Sequence, residues 1–188
     1  MSNIGYSVPA LSWAKIDDLA DNLRAKYDLA GKQYFPIVEV LELVMSNKFR
    51  MFDIEIVSRE DMPEEYATTS QTGRLMRIRE DTYRKACSGN GRARFTLAHE
   101  LGHIIMHCCG VEVFALASGE HVEPYRHSEK QANYFAASIL MPKRFFTAND
   151  TVELIVRRHG VSREAALNRL KYLFAKGYLR PPNTPRLF

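Results

Sequence analysis

The sequence predicts an α+β fold: a small sheet packed against helices, closed by a helix-turn-helix-like segment. Three observations carry this. Residues 52–57 alternate apolar and polar with the two-residue period of a half-buried strand. Two stretches, 92–109 and 129–140, space their apolar residues with the helical period. Beyond Pro142, two more helical patterns flank Gly160.

The elements follow in order. Leu11, Ile16, Leu19, Leu23 and Tyr27 fall near one face of a helix over 11–27. Pro36 suits the first turn of a second helix, which runs through Val38, Leu41 and Val44 to Asn47. Phe52, Ile54 and Ile56 then alternate with Asp53, Glu55 and Val57 in a strand. Tyr66–Thr69 and Leu75–Ile78 predict two short strands about a turn at Gln71-Thr72-Gly73. Ser88–Gly91 is a loop, a long helix starts near Arg92, and residues 110–127 are irregular. The helix over 129–140 stops before Pro142, because the residue ahead of a proline is disfavoured in helical backbone. Helices over 151–159 and 163–176 complete the chain, with Gly160 ending the first and Ser162 capping the second. This divides the chain into a body, residues 1–142, and a basic helical segment, residues 143–188.

Charge supports the division. Residues 143–188 carry ten basic and three acidic residues, a net +7, which leaves −3 for residues 1–142. Such a segment offers either a surface for an anionic partner, nucleic acid included, or a solvated helix face. Arg163, Asn168, Arg169 and Lys171 are the side chains it would present to phosphates or bases. The chain opens without a basic stretch or apolar core of a leader, and no apolar run nears the roughly 18–20 residues that span a bilayer. The expectation is a soluble cytoplasmic protein with no membrane partner. Cys87, Cys108 and Cys109 are odd in number and two are adjacent, which suits reduced thiols better than a disulfide framework.

The chemistry lies in His99-Glu100-Leu101-Gly102-His103. On a helix, residues four apart sit one turn apart on the same face, so both imidazoles can reach one ion. This is the zinc-binding His-Glu-x-x-His pattern, in which the glutamate takes a proton from a metal-activated water without being a ligand. The surrounding apolar stripe, Leu97, Leu101, Ile104 and Cys108, buries this helix, and buried imidazoles need partners.

A catalytic zinc site takes a third protein ligand. No further Gly and His follow at the spacing of the extended pattern, so that ligand comes from elsewhere. Glu129 is the best candidate. It continues the apolar face of Ala132, Phe135, Ala136 and Ile139 at the start of a helix that Ser128 can cap, with Gln131 closing a capping box. A carboxylate pointed at a core is costly unless paired. Asn133, one turn on, can bond the free N–H of a ligand imidazole. His107 continues the row of His99 and His103 but lies two turns from His99, too far for the same ion, which makes it a rim or structural residue. His121 and His127 belong to the irregular stretch, as do Glu112, Glu120 and Glu123, which show no periodic placement. Tyr66, Tyr125 and Tyr134 are nominees for stabilising an oxyanion.

Two blocks, Arg94–His103 and Glu129–Pro142, resemble the ImmA/IrrE family of metallopeptidases in residues and spacing. The resemblance implies a minimal zincin-like fold with a short antiparallel sheet beside two zinc helices. It places the metal ligands at His99, His103 and Glu129 and the catalytic base at Glu100. It further implies a zinc endopeptidase acting in bacterial or phage regulation, whose partner is a helix-turn-helix repressor or antitoxin. Two other functions stay open: a non-proteolytic zinc-containing regulator that binds protein or DNA, and the toxin half of a toxin–antitoxin pair.

Overall fold

A computed structural model describes residues 6–108, 114–115 and 123–180. The first helix, α1 (Trp13–Lys26), begins where the Ser12 hydroxyl accepts the Lys15 N–H. Its inner face buries Ile16 and Ala20 together with Asp17 and Arg24. The Arg24 guanidinium donates to the carbonyls of Ile139 and Lys32. It thereby anchors the α1–α2 connection to the core. The short α2 (Ile37–Glu39) follows Pro36 and widens into a π-helical stretch (Val40–Lys48). Val40, Leu41 and Met45 are buried from it.

Three strands form a mixed sheet in the order β2 (Asp53–Val57), β4 (Leu75–Arg79), β3 (Ala67–Thr69). The hairpin β3–β4 is antiparallel, as the turn at 71–73 implies, but β2 pairs with β4 in parallel, Ile54 opposite Met76 and Ile56 opposite Ile78. The α+β zincin-like class holds, with a mixed sheet in place of an antiparallel one. The two-residue alternation of β2 fails at its end: Ile56 is 41% exposed while Val57 is buried. As an outer strand, β2 has its faces covered unevenly. A separate two-stranded pair joins β1 (Tyr6–Ser7) to β5 (Phe114–Ala115).

α3 (Glu80–Cys87) is an element the apolar period does not announce. It is short, and its surface is held by Glu80–Arg84 and Asp81–Lys85 ion pairs one turn apart. The long α4 (Gly91–His107) starts at Asn90, whose side-chain oxygen accepts the N–H groups of Arg92 and Ala93. It packs against α5 (Ser128–Leu140), and α5 in turn against α1. Gly102 permits the α4–α5 approach. A Cβ there would lie 3.2 Å from Ala132 Cα and 3.2 Å from Phe135 Cδ1.

α6 (Val152–His159) is capped by Thr151 and ends at Gly160, whose φ of 63° and ψ of 46° are the left-handed values of a C-cap. Ser162 caps α7 (Arg163–Ala175) by accepting the Ala165 N–H. Both helices bury a face in the same core as α4 and α5: Ile155, Ala166 and Leu173 are fully enclosed. This corrects one expectation. Arg169 is buried, donating to the Met141 carbonyl and to Asp17, so it is not available to phosphates. Lys143, Arg144, Arg158 and Arg163 are also ion-paired, with Asp17, Asp21, Asp150 and Glu153. Much of the segment's positive charge is therefore neutralised locally. No helix among the described residues is long and apolar enough to cross a membrane.

Candidate metal centre

α4 and α5 cross so that three side chains converge. His99 Nε2 and His103 Nε2 lie 3.0 Å apart. The Glu129 carboxylate reaches both, Oε2 at 3.2 Å from His99 and Oε1 at 3.3 Å from His103. Among the described residues, these three form the group whose ligand atoms could hold one metal ion.

The orientation of each ring is set from behind. Gln131 Nε2 donates to the carbonyls of Pro9 (3.0 Å) and Tyr125 (2.6 Å), which turns its Oε1 towards His107 Nε2 at 2.9 Å. His107 Nε2 must then donate, leaving its Nδ1 as an acceptor. That Nδ1 lies 3.0 Å from His103 Nδ1, which must donate in turn. Burial pushes the His107 pKa down to about 4, keeping the ring neutral as this chain of bonds requires. His99 Nδ1 likewise donates to Asn133 Oδ1 at 3.0 Å. Both Nε2 atoms therefore present lone pairs to one point, facing a carboxylate.

Such a convergence is stable only around positive charge. Burial disfavours charging His99, yet Glu129 and Glu100 outweigh it and raise its pKa. Burial alone would raise the Glu129 carboxyl, yet the bonds from His103 and His99 hold it well below the usual carboxylate range. The donor set fits a divalent ion. Tetrahedral donors at zinc-ligand distances lie about 3.3 Å from one another, close to the 3.0, 3.2 and 3.3 Å found here.

Glu100 shares this turn of α4 and is 8% exposed. Its Oε2 accepts from the Thr69 hydroxyl of β3 at 2.9 Å. Burial pushes its carboxyl above the usual range, and the nearby His99 and His103 offset that in part.

The family model of the IrrE N-terminal-like domain, a peptidase family, matches residues 58–171. This chain belongs to that family. The matched span of the IrrE-like domain runs from the end of β2 through the mixed sheet, α4 and α5 into α7. No curated protein sequence matches the chain. Among solved structures, a Mycobacterium tuberculosis transcriptional regulator shares the fold, with a TM-score of 0.52 at 18% identity, over 92% of this chain and 48% of that one. The chain thus spans about half the length of that regulator.

Within the IrrE-like domain, the residues singled out by sequence fall into three groups. His99, Glu100, His103, Glu129 and Asn133 are brought together. Glu123 is exposed, and His127 sits ahead of α5, bridged to Ser7; neither joins the cluster. Cys109, Glu112, Glu120 and His121 lie outside the described residues. The predicted capping box does not form: the Ser128 hydroxyl accepts the Tyr6 N–H and Gln131 orients His107. The roles of His107 and Gln131 are what sequence reasoning missed. His107 is too far from His99 to share an ion, but one turn from His103 is hydrogen-bonding distance. Tyr134 is a poor oxyanion partner, since its hydroxyl donates to Asp17 at 3.1 Å.

Proposed function

We propose that this chain is a zinc-dependent endopeptidase that cleaves a helix-turn-helix repressor or antitoxin, with His99, His103 and Glu129 as ligands and Glu100 as general base. The observation that carries this reading is the three-way convergence of His99, His103 and Glu129 beside a buried, uncoordinating carboxylate. Membership of a peptidase family supports the reaction class, and the fold shared with a protein named as a transcriptional regulator supports a place in regulation.

A divalent metal held there supplies Lewis acidity, polarising a peptide carbonyl and acidifying water. Glu100 then removes a proton from the attacking water and returns it to the departing amine. The Thr69 hydroxyl keeps one carboxylate oxygen fixed. Thr69 ends β3, an outer strand of its sheet. An extended substrate segment can therefore pair with β3 and run past Glu100. Residues 1–142 form the peptidase body in this reading, and residues 143–188 form a basic helical segment that helps shape the substrate face.

The test is elemental analysis of protein purified without chelator. The expected result is about one zinc per chain, lost in His99→Ala, His103→Ala and Glu129→Ala but kept in Glu123→Ala. Metal-free native protein, or metal loss only in Glu123→Ala, would overturn the assignment.

A further inference from the structure

A cavity of about 670 Å³ opens between α1, α4, α5 and α7. It adjoins the candidate metal centre: Asn133, which holds His99, also lines it, and so do Phe95 and Lys130, beside the cluster residues on α4 and α5. Its apolar floor is aromatic. Trp13 stacks on Tyr134 with centroids 4.7 Å apart, and Tyr172 meets Tyr134 edge-on at 5.3 Å. Aromatic faces arranged this way take another large apolar group readily.

The polar lining is unbalanced. Arg92, Lys130 and Arg169 face a single acid, Glu164. Arg169 is 3% exposed; its guanidinium lies over the rings of Tyr134 and Tyr172, 5.3 and 5.9 Å from their centroids, and its Nη1 has no hydrogen-bond partner among the described residues. Asp17 cannot supply one, because its carboxylate already accepts from Ser138 Oγ at 2.6 Å, Tyr134 Oη at 3.1 Å, Lys143 Nζ at 3.3 Å and Arg169 Nη2 at 3.5 Å. A buried guanidinium N–H left without an acceptor is costly, and the positive charge beneath the floor adds to that of Arg92 and Lys130 at the cavity.

We propose that this cavity is the specificity subsite of the metal centre and takes a large apolar side chain of a peptide that carries a carboxylate next to it. The aromatic floor receives the side chain, and Lys130 and Arg92 receive the acid. The inference rests on the peptidase reading for its substrate class, but the cavity itself can be read without turnover.

Trp13 is the only tryptophan of the chain. Its emission therefore reports what enters the cavity. The full-length Glu100→Gln protein is titrated with N-acetyl-Glu-Phe-Leu-amide, N-acetyl-Lys-Phe-Leu-amide and free 3-phenylpropionate. The expected result is a saturable change in Trp13 emission with the acidic peptide, at least about tenfold weaker binding of the lysine peptide, and a weaker response still to phenylpropionate. Ala165→Phe, which fills the cavity, removes the response without loss of bound zinc. Lys130→Glu, at an exposed position that does not touch the fold's core, inverts the preference between the two peptides and decides the matter if Ala165→Phe does not fold. Equal affinity for both peptides, or no response to either, would overturn the proposal. So would saturation by phenylpropionate as tight as by the acidic peptide, which would make the cavity a site for a free aromatic acid. If the acidic peptide binds as expected but metal-loaded parent protein cuts no peptide, the peptidase reading fails and the cavity assignment stands. If peptides are cut without regard to the acid or the apolar residue, the cavity assignment fails alone.

Discussion

Replacing Gly102 with alanine probes whether the α4–α5 contact sets the metal centre. Elsewhere in a helix, this change stabilises by about 1 kcal/mol, because alanine loses less backbone freedom on folding. Here the new Cβ would meet Ala132 Cα at 3.2 Å, Phe135 Cδ1 at 3.2 Å and Ala132 O at 3.3 Å. Two of the three are backbone atoms, so the helices must part by a few tenths of an ångström. Overpacking of this kind costs about 1–3 kcal/mol, which leaves a net loss of about 0–2 kcal/mol. Gly102 is next to His103, and Ala132 is one turn from Glu129. The separation therefore widens the gap between the two imidazoles and the carboxylate. Metal affinity should fall by up to about tenfold, since a shift of a few tenths of an ångström uses most of the about 0.5 Å of misplacement that such sites tolerate. Urea unfolding in excess chelator reads the stability, and competition with a chromophoric chelator reads the affinity. A variant about 1 kcal/mol more stable than the parent, with unchanged affinity, would refute the reasoning and show that the helices have slack.

Two further predictions follow from the buried histidines. Gln131→Leu and His107→Phe should each weaken zinc binding about 10- to 100-fold without removing a ligand, because they release the His103 ring from its donor tautomer; unchanged affinity in chelator competition would contradict the relay. His159 is fully enclosed, with Nδ1 donating to the Gln33 carbonyl and Nε2 accepting from Arg158. Its pKa is pushed down from 6.5 to about 4, chiefly by burial. The unfolded chain binds this proton first, so the stabilisation is complete above pH 6.5 and is lost as pH falls towards 4. The loss approaches about 3 kcal/mol over that window. In urea unfolding, His159→Phe should flatten the fall in stability between pH 6.5 and 4.5, and an equal slope in variant and parent would exclude His159 as its source.

How much was legible in the sequence depended on whether a feature was local. The i, i+4 spacing of His99 and His103 and the face shared by Glu129 and Phe135 are properties of single helices, and the structure brings those residues together. Gly160 and Ser162 end and begin helices as their backbone and side-chain chemistry dictates. What escaped depended on distant partners. Ser128 and Gln131 have the pattern of a capping box, but the Tyr6 N–H and the carbonyls of Pro9 and Tyr125 bind them instead. Arg169 reads as a surface cation on α7, yet Asp17, more than a hundred residues earlier, draws it inside. The parallel pairing of β2 with β4 was hidden for the same reason, since alternation within a strand does not name its neighbour.

The central claim is hydrolysis by Glu100 at a metal held by His99, His103 and Glu129. The most direct measurement incubates zinc-loaded parent and Glu100→Gln proteins with candidate helix-turn-helix regulators, and follows both cleavage and zinc content. An amide is nearly isosteric with the carboxylate but cannot serve as a base near neutral pH. The account predicts full zinc occupancy, retained binding of the regulator, and cleavage slower by at least about 10²–10⁴. Cleavage by Glu100→Gln at the parent rate, or an intact regulator with the zinc-loaded parent, would contradict it.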